Sequence, residues 1–449
     1  MNFLHDLFDS GRRTVVQVFS AGGIARDSPN SPDVPEDLRS WLPDLFDRFP
    51  IVFPWQKALP VDPALHNVWI LDNTAFRTPA RDDHRKDLPH PKDPNISKPT
   101  LTGNGGAQGA LKPSGWEVEM VACYFIKNSG RDIAGIAAQI AKQLNIGEED
   151  IATYQRIALR VQPFADTVLP NRTLRISVNN SEEQTLGPSS YSGISDAIHE
   201  LHLPSPKAGT TLTSTPVALP QPFSLPGATV VAAPTGWGVI SDIDDTIKVT
   251  MTPSPTGILH STFVVEEPEP VAGMPELYAQ ITKMLDTPPF FYLSASPYNL
   301  YPFLRRFRDA HYPPGTIILR DASWQNLGGL ISSLTQGTQD YKVDRIKKIH
   351  AWFPQRTFIC IGDSTQSDPE SYGEVARKYP GWVKGIYIRK VEGIAAMDEE
   401  TKNSPDRFEK AFKGLDKNLW HVFTDPSELA GRVEELVRKE GSAGSRRQE

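Results

Sequence analysis

The chain has 449 residues and a formal net charge of −7, from 47 lysines and arginines against 54 aspartates and glutamates. This length predicts at least two domains. The charge balance gives no general attraction to nucleic acid, so we expect no nucleic-acid partner. It does not exclude a local basic patch.

The two cysteines, Cys123 and Cys360, are far apart and belong to no cluster with metal-ligand spacing. Neither a zinc site nor a disulfide framework is therefore expected. The N-terminus lacks the apolar core of a signal peptide, and no apolar run approaches the ~18 residues of a membrane span. We expect a cytoplasmic protein.

The first half of the chain has the pattern of a β-rich α+β domain over residues 1–235, with long loops. A strand-like pattern runs from Trp116 to Ile126, and a 3.6-residue apolar spacing predicts a helix over residues 131–144. Alternation of apolar and polar residues around Ile176 predicts a half-exposed strand.

Two segments of this half are poor in apolar residues. Residues 78–114 consist mainly of glycine, proline and charged residues, and cannot bury enough surface to offset the cost of ordering. We therefore predict a disordered insertion there. Residues 203–227 are rich in proline, serine and threonine, which is typical of a linker.

Strand and helix patterns alternate regularly in the second half, over residues 236–440. Such alternation predicts an α/β domain with a parallel sheet covered by helices on both faces. The predicted elements lie at 236–242, 273–286, 289–294, 298–312, 315–321, 340–352, 356–362, 369–379, 382–389, 419–423 and 426–440. Residues 441–449 are polar and predict a disordered tail.

The first strand of this domain ends abruptly in carboxylates, in the sequence GVISDIDDT. Asp242 and Asp244 are two residues apart at a strand end, so they project to the same face. Such a pair is costly unless a cation lies between the charges or one carboxyl carries a proton. The pattern suits a Mg²⁺ site in which one aspartate attacks and the other transfers a proton. Asp245 has the alternative role of capping the turn.

Three later segments place polar residues after apolar strands or at a helix start. Ser294 ends the apolar run FFYL, and Lys342 lies at a predicted helix start. Asp363 and Asp368 follow the apolar run FICIG. Because open α/β sheets carry their chemistry at the carboxyl ends of the strands, these residues are candidates for one site.

Four motifs follow one another in this half: D-x-D-x-T, an apolar run that ends in Ser, a Lys, and G-D-x-x-x-x-D. This order of motifs resembles the haloacid dehalogenase superfamily of phosphohydrolases. The resemblance covers roughly residues 236–440 and implies a Rossmannoid parallel sheet. The stretches DIDDTIK, FFYLSASPYNLYPFL and IGDSTQSDPESY are similar to the fungal actin-patch phosphatidate phosphatase family. That similarity implies a Mg²⁺-dependent enzyme that removes phosphate from phosphatidate and related lipid phosphates.

This resemblance, together with the chemistry, assigns roles to the aspartates. Asp242 would attack phosphorus to form an aspartyl-phosphate. Asp244 would protonate the leaving alcohol and then deprotonate water. Asp242, the backbone carbonyl of Asp244 and Asp363 would hold Mg²⁺, and Asp368 would brace these ligands.

The remaining catalytic candidates are a serine and a lysine. Ser294 would donate a hydrogen bond to a transferring phosphoryl oxygen, and Lys342 would offset the charge of nucleophile and phosphate. Ser296 is the alternative to Ser294. Lys347 and Lys348 are the alternatives to Lys342.

Three residues are assigned to substrate binding: Thr246, Ser296 and Arg320. Arg320 follows an apolar strand, a position from which it could contact phosphate, and a structural role is its alternative. Gly362 is expected to ease a tight turn rather than to contact a ligand.

The segment between Thr246 and Met274 is long enough for a flap hairpin but not for a separate cap domain. An uncapped site suits a lipid head group or a phosphoprotein, because a small metabolite usually calls for a closing lid. The first domain could cover part of the site.

Two alternatives to a lipid phosphatase follow from these features. One is a phosphoprotein or small-metabolite phosphatase on the same scaffold. The other is a scaffold protein at cortical actin patches or endocytic sites, with partners docking on the proline-containing segments. With a lipid phosphate as substrate, we expect peripheral contact with membranes.

Overall fold

The computed structural model describes residues 57–77, 115–127, 129, 133–202, 207–217, 219, 224–320 and 338–445. The predicted insertion at 78–114 lies outside these residues. No helix within the described ranges is long and apolar enough to cross a membrane.

The first half of the chain folds around an eleven-stranded mixed sheet in the order β1-β6-β9-β11-β3-β4-β2-β10, with β5 and β8 also paired to β4 and β7 to β6. Its predicted β-rich character is confirmed. The strands are β1 (Leu59–Pro60), β2 (His66–Ile70), β3 (Asn73–Arg77), β4 (Trp116–Ile126), β5 (Thr167–Val168), β6 (Arg172–Val178), β7 (Glu182–Leu186), β8 (Ile194–Leu201), β9 (Thr211–Pro216), β10 (Ser224–Leu225) and β11 (Gly227–Val231).

Part of the predicted linker at 203–227 is regular structure. Strands β9 and β10 both lie within it. The reason is an alternation that the high proline content obscures: Leu212 and Ser214 are buried, whereas Thr211 and Thr213 face outward. For these described residues the linker prediction is wrong.

Two helices, α1 (Ile133–Gln143) and α2 (Ile151–Ala165), accompany this sheet. The apolar spacing of the sequence predicted α1, whereas α2 was not expected. Asp150 caps α2, because its side chain accepts a hydrogen bond from the Thr153 amide at 3.1 Å. The helix buries Ile157, Val161 and Phe164, which recur at the spacing of an amphipathic helix. The signal was therefore present in the sequence.

The second half forms a six-stranded sheet in which every pairing is parallel, as the sequence predicted. The strands are β12 (Trp237–Asp242), β13 (Phe290–Pro297), β14 (Gly315–Arg320), β15 (Thr357–Asp363), β16 (Val383–Arg389) and β17 (Trp420–Phe423). Their order in the sheet is β14-β13-β12-β15-β16-β17. From the central β12 the chain continues to β13 and β14 on one side and then returns to β15 on the other side, so the loops that follow β12 and β15 diverge.

Helices connect these strands and pack on the sheet. They are α3 (Pro255–Leu259), α4 (Met274–Met284), α5 (Tyr301–His311), α6 (Thr338–Trp352), α7 (Asp368–Lys378), α8 (Glu399–Lys402), α9 (Pro405–Ala411) and α10 (Ser427–Ser445). Helix α10 runs five residues into the predicted disordered tail at 441–449, since no proline interrupts it there. The last four residues lie outside the described part of the chain.

The segment after Thr246 has paired ends, as in a hairpin, and a helical tip. The Val249 amide donates to the carbonyl of Glu269 at 2.9 Å, and the Val271 amide donates to that of Ile247 at 2.9 Å. Helix α3 continues directly into a π-helix, His260–Val264. Ser254 accepts a hydrogen bond from the Gly257 amide at 3.1 Å, and Pro255 occupies the first turn, which together start a helix. This Ser-Pro signal was legible in the sequence.

The first half of the chain holds this helical flap. From α2, Arg156 donates a hydrogen bond to the carbonyl of Val264 at 2.8 Å, and Arg160 donates to that of Thr262 at 3.2 Å. These bonds satisfy carbonyls that a helix end leaves without partners. Helix α2 of the first half therefore packs against the flap that follows β12.

A buried polar junction also joins the two sheets. Asp72, beside β3, pairs with Arg308 of α5 at 2.6 Å, and its amide donates to the hydroxyl of Tyr301 at 2.6 Å. The hydroxyls of Thr74 and Thr316 lie 2.7 Å apart. Because all of these groups are buried and partnered, the junction fixes the two sheets relative to each other.

Candidate active site

The carboxyl edge of the parallel sheet gathers three aspartates. Asp242 ends β12, Asp363 ends the adjacent β15, and Asp368 begins α7. One carboxylate oxygen from each lies within 4.8 Å of the corresponding oxygens of the other two. None of the three residues is more than 1 % exposed. The structure therefore brings together residues from distant motifs that the sequence placed in one site.

Lys342 extends from α6 into the same cluster. Its Nζ lies 2.7 Å from Oδ1 of Asp242 and also contacts Oδ1 of Asp368. Burial by itself would lower the pKa of Lys342, but Asp242, Asp368 and Asp363 raise that pKa above its ordinary value. The ammonium group is therefore charged and serves as the counter-charge of the cluster.

The lysine alternatives do not share this position. Lys348 forms an ion pair with Glu119 of β4, in the first half of the chain. Lys347 is half-buried along α6. Lys342 alone of the three is fully buried, at 0 % exposure.

The cluster carries more negative than positive charge, since three carboxylates face one ammonium group. Burial and then the neighbouring Asp368 raise the pKa of Asp242 well above its usual value, and the same two causes raise the pKa of Asp363 to about 6. Oδ2 of Asp242 accepts no hydrogen bond from any described residue. Carboxylate oxygens are the ligands that hard divalent cations prefer, so this donor set fits Mg²⁺.

Asp368 has both carboxylate oxygens engaged. While Oδ1 contacts Lys342, Oδ2 accepts a hydrogen bond from the Asp363 amide at 3.0 Å. Gly362 lies against this carboxylate: a Cβ there would be 2.6 Å from Oδ2 of Asp368. The close approach of Asp368 explains the glycine more directly than the tight turn expected from the sequence.

Two threonines orient Asp363. The Thr246 hydroxyl donates to Oδ2 of Asp363 at 2.9 Å, and the Thr365 amide donates to Oδ1 at 2.6 Å. Thr246 was expected to bind substrate, but its hydroxyl is occupied by this bond and its side chain is fully buried. Its contact is therefore with Asp363.

Asp244 is held by two hydroxyl groups. Ser294 donates to Oδ2 of Asp244 at 2.6 Å, and Thr250 donates to Oδ1 at 2.8 Å. Asp244 is 2 % exposed, so both bonds are shielded from water. This geometry fixes the direction of the carboxylate at the end of β12.

Asp245 supports the loop rather than the cluster. Its carboxylate accepts hydrogen bonds from the amides of Thr250 (3.0 Å), Met251 (2.7 Å) and Thr252 (2.7 Å). Its φ of 60° is in the left-handed region, which aspartate tolerates better than most residues. The turn-capping alternative raised by the sequence is the role that these contacts support.

The two other substrate-binding candidates differ in position. Ser296 is 1 % exposed, and its amide donates to the hydroxyl of Ser294 at 3.0 Å. Arg320 ends β14, two strands from Asp242, and its guanidinium lies 5.9 Å from the ring of Tyr341. Ser296 therefore borders the site, whereas Arg320 lies farther along the sheet edge.

Residues 237–390 match a family model described as "Phosphatidate phosphatase APP1, catalytic domain". This range contains every aspartate of the cluster, Ser294 and Lys342. The family resemblance inferred from the motifs is thereby confirmed.

Two curated proteins are similar to the chain. It is 29 % identical over 273 residues to phosphatidate phosphatase APP1 of Saccharomyces cerevisiae, which covers 58 % of this chain and 45 % of that protein. It is 27 % identical over 160 residues to the uncharacterized protein C29B5.04c of Schizosaccharomyces pombe, covering 35 % of this chain and 25 % of that protein. The chain thus spans less than half the length of each relative.

Sequence reasoning missed a lysine beside Asp244. Lys248 is 1 % exposed, donates to the hydroxyl of Thr250 at 2.6 Å and lies 3.8 Å from Oδ1 of Asp244. It ends the DIDDTIK stretch, so its proximity to the aspartates could have been inferred. Its burial could not, because the turn that folds it back depends on the bonds made by Asp245.

Proposed function

We propose that this protein is a Mg²⁺-dependent phosphatidate phosphatase that hydrolyses lipid phosphate monoesters through an aspartyl-phosphate. The observation that carries the proposal is the contact of Lys342 with Asp242 inside a buried cluster that also contains Asp363. The matched catalytic-domain model supports the substrate class. The strand order around β12 supports a haloacid-dehalogenase-like sheet.

Asp242 and Asp363 would hold the metal, with the Asp244 carbonyl as a further ligand. Asp368 has both oxygens engaged by Lys342 and the Asp363 amide, which favours a bracing role. When bound, Mg²⁺ supplies positive charge that offsets the repulsion between a phosphate dianion and a carboxylate nucleophile.

Asp242 is the nucleophile in this proposal. Its free Oδ2 would form a bond to phosphorus while the bond from phosphorus to the lipid alcohol oxygen breaks. Lys342 holds the other oxygen, so it orients the carboxylate and limits its repulsion of the phosphate. A water molecule then attacks phosphorus and releases inorganic phosphate and Asp242.

Asp244 is the general acid and base. It would give a proton to the leaving alcohol and later take one from the attacking water. Its bond to Thr250 holds the carboxyl in one orientation for both steps, and the bond from Ser294 orients it before substrate binds. Ser294 would exchange its bond to Asp244 for one to a phosphoryl oxygen when substrate binds.

The lipid substrate is favoured over a small metabolite by the flap. The described residues between β12 and α4 include α3 and one π-helical turn, packed against α2, and make no separate cap domain. We propose peripheral contact with a membrane on this basis. Docking of actin-patch or endocytic partners on proline-rich segments has less support, since Pro216 belongs to a strand.

Release of inorganic phosphate tests the function. Phosphatidate in detergent micelles, a phosphopeptide and p-nitrophenyl phosphate would be compared with Mg²⁺ and with EDTA. We expect phosphatidate to be preferred and activity to require the metal. The Asp242→Asn variant should lose turnover, while the control Asp344→Asn, at a carboxylate 59 % exposed on α6, should retain it. Preference for the phosphopeptide, or wild-type turnover in Asp242→Asn, would refute the proposal.

A further inference from the structure

The loop that joins Asp363 to Asp368 also contacts helix α9, which carries no catalytic candidate. This loop, residues 364–367, borders a cavity of about 1040 Å³. The opposite wall of the cavity comes from α8 and α9, which follow the range matched by the catalytic-domain model. One side chain of that wall, Arg407 of α9, reaches across to the loop.

Arg407 donates to two carbonyls of the loop. Its Nη1 lies 2.6 Å from the oxygen of Ser364, and its Nη2 lies 2.5 Å from that of Gln366. These carbonyls flank Thr365, whose amide donates to Asp363. A bond to each carbonyl restricts the backbone rotation of the loop between the two aspartates.

The same guanidinium is anchored on two further elements. It forms a two-point ion pair with Glu370 in the first turn of α7, at 2.8 and 3.0 Å. Its Nη1 also donates to the carbonyl of Lys402 at the end of α8, at 2.8 Å. All five N–H groups of the guanidinium are therefore used, and its side chain is only 14 % exposed.

We propose that Arg407 is a positioning residue for the metal site, acting through the loop that carries Asp363 and Asp368. This rests on the proposed function, in which those aspartates hold and brace Mg²⁺. None of the described bonds of Arg407 reaches Asp242, Asp363 or Asp368. Arg407 fixes the backbone that sets the distance between the two carboxylates, from a helix outside the catalytic motifs.

The planar fork of arginine is essential to this role. A lysine could reach one carbonyl or Glu370, but it cannot join the loop, α7 and α8 at the same time. Removal of a group that orients metal ligands typically costs ten- to a hundredfold in metal affinity or activity. The loop is also tied to β16, since the Ser364 amide donates to the carbonyl of Arg389 at 3.0 Å, so loss of Arg407 should loosen the loop without unfolding it.

Arg377 provides a matched control. It lines the same cavity, and its Nη1 donates to the carbonyls of Ala411 at 2.8 Å and Lys413 at 3.3 Å. It carries the same charge and also links α7 to the α9 region. None of its described bonds reaches residues 364–367.

The test measures metal binding without turnover, by Mn²⁺ titration followed by electron paramagnetic resonance. The full chain would carry R407Q, R407K or R377Q. We expect R407Q to weaken Mn²⁺ binding by about tenfold or more and R407K to recover part of it. The Mg²⁺ concentration for half-maximal phosphate release should rise in parallel. R377Q should stay within about twofold of wild type.

Equal Mn²⁺ affinity in R407Q and wild type, or an equal loss in R377Q, would overturn the proposal. If R407Q does not fold, E370Q replaces it. This variant removes the ion pair between Arg407 and α7 but keeps the arginine, so we expect weakened Mn²⁺ binding. Unchanged Mn²⁺ binding in E370Q would overturn the proposal. A wild-type protein that binds Mn²⁺ but does not hydrolyse phosphatidate would refute the function while leaving the role of Arg407 intact.

Discussion

Lys342 Nζ lies 2.7 Å from Oδ1 of Asp242, and neither residue is more than 1 % exposed. A buried ammonium group beside a buried carboxylate is stable only because each compensates the other. In this protein the compensation is incomplete, since Asp363 and Asp368 lie in the same cluster. The excess negative charge is what a divalent cation would offset.

Lys342→Met should destabilise the protein, because it removes the counter-charge but keeps a side chain of similar length. Removing one partner of a buried ion pair typically costs about 3–5 kcal/mol. Urea unfolding of the metal-free protein would measure the loss, and Mg²⁺ should restore part of it. Lys347→Met on the same helix should change stability by less than about 0.5 kcal/mol. Equal effects of the two substitutions would contradict the assignment.

Ser294→Ala should lower kcat by about ten- to a hundredfold, since it removes the hydroxyl that orients Asp244. Steady-state phosphate release would measure this. Ser195→Ala, which removes a buried hydroxyl far from the site, is the control for nonspecific effects. A larger loss in Ser296→Ala than in Ser294→Ala would exchange the roles of the two serines.

Gly362→Ala should weaken metal binding, because the new Cβ would lie 2.6 Å from Oδ2 of Asp368 and displace that carboxylate. We expect the Mg²⁺ concentration for half-maximal activity to rise by about tenfold. Gly431→Ala in α10, with no neighbour within 4 Å, should stabilise the helix by up to about 1 kcal/mol and leave activity unchanged. Normal Mg²⁺ dependence in Gly362→Ala would show that the site tolerates the displacement.

In the metal-free protein, the contribution of Asp242 and Asp363 to stability should fall as the pH rises from about 4 to about 6. Burial, then Asp368, raises the pKa of Asp363 from 3.8 to about 6, and the pKa of Asp242 is raised by the same causes. Over that interval the folded state binds more protons than the unfolded state, so the free energy of unfolding falls with pH. Mg²⁺ favours the ionised carboxylates, so its stabilising effect should grow over the same interval.

Thermal unfolding with EDTA and with saturating Mg²⁺, at several pH values across this interval, would measure that difference. Asp363→Asn should reduce its pH dependence. A Mg²⁺-induced shift in Tm that stays constant or shrinks as the pH rises would contradict the charge account.

The parallel sheet could be predicted because its signals are local. The strands are short apolar runs, such as Phe358–Ile361, and all but the one at 382–389 are followed by a helical pattern. Asp242 and Asp363 could be placed together because parallel strands end at the same edge. Lys342 lies in a helix, and the order of the motifs assigned it to the same site. No long-range pairing had to be known for this inference.

Other features depend on contacts that no local pattern encodes. Thr246 donates to Asp363 rather than facing the substrate position, because β15 lies beside β12. The strand β9 was hidden by its prolines, and its pairing with β6 and β11 is what buries Leu212. By contrast, α2 and the helical flap could have been predicted from the sequence, because Asp150 and Ser254 are helix-capping residues.

The central claim is that Asp242 and Asp363 share one divalent cation. A crystal grown with Mn²⁺, with anomalous scattering recorded to locate the ion, tests it most directly. We expect a single strong peak between the two carboxylates, within coordinating distance of both, and its loss in Asp242→Asn. A peak elsewhere, or one that contacts only one of these carboxylates, would contradict the account.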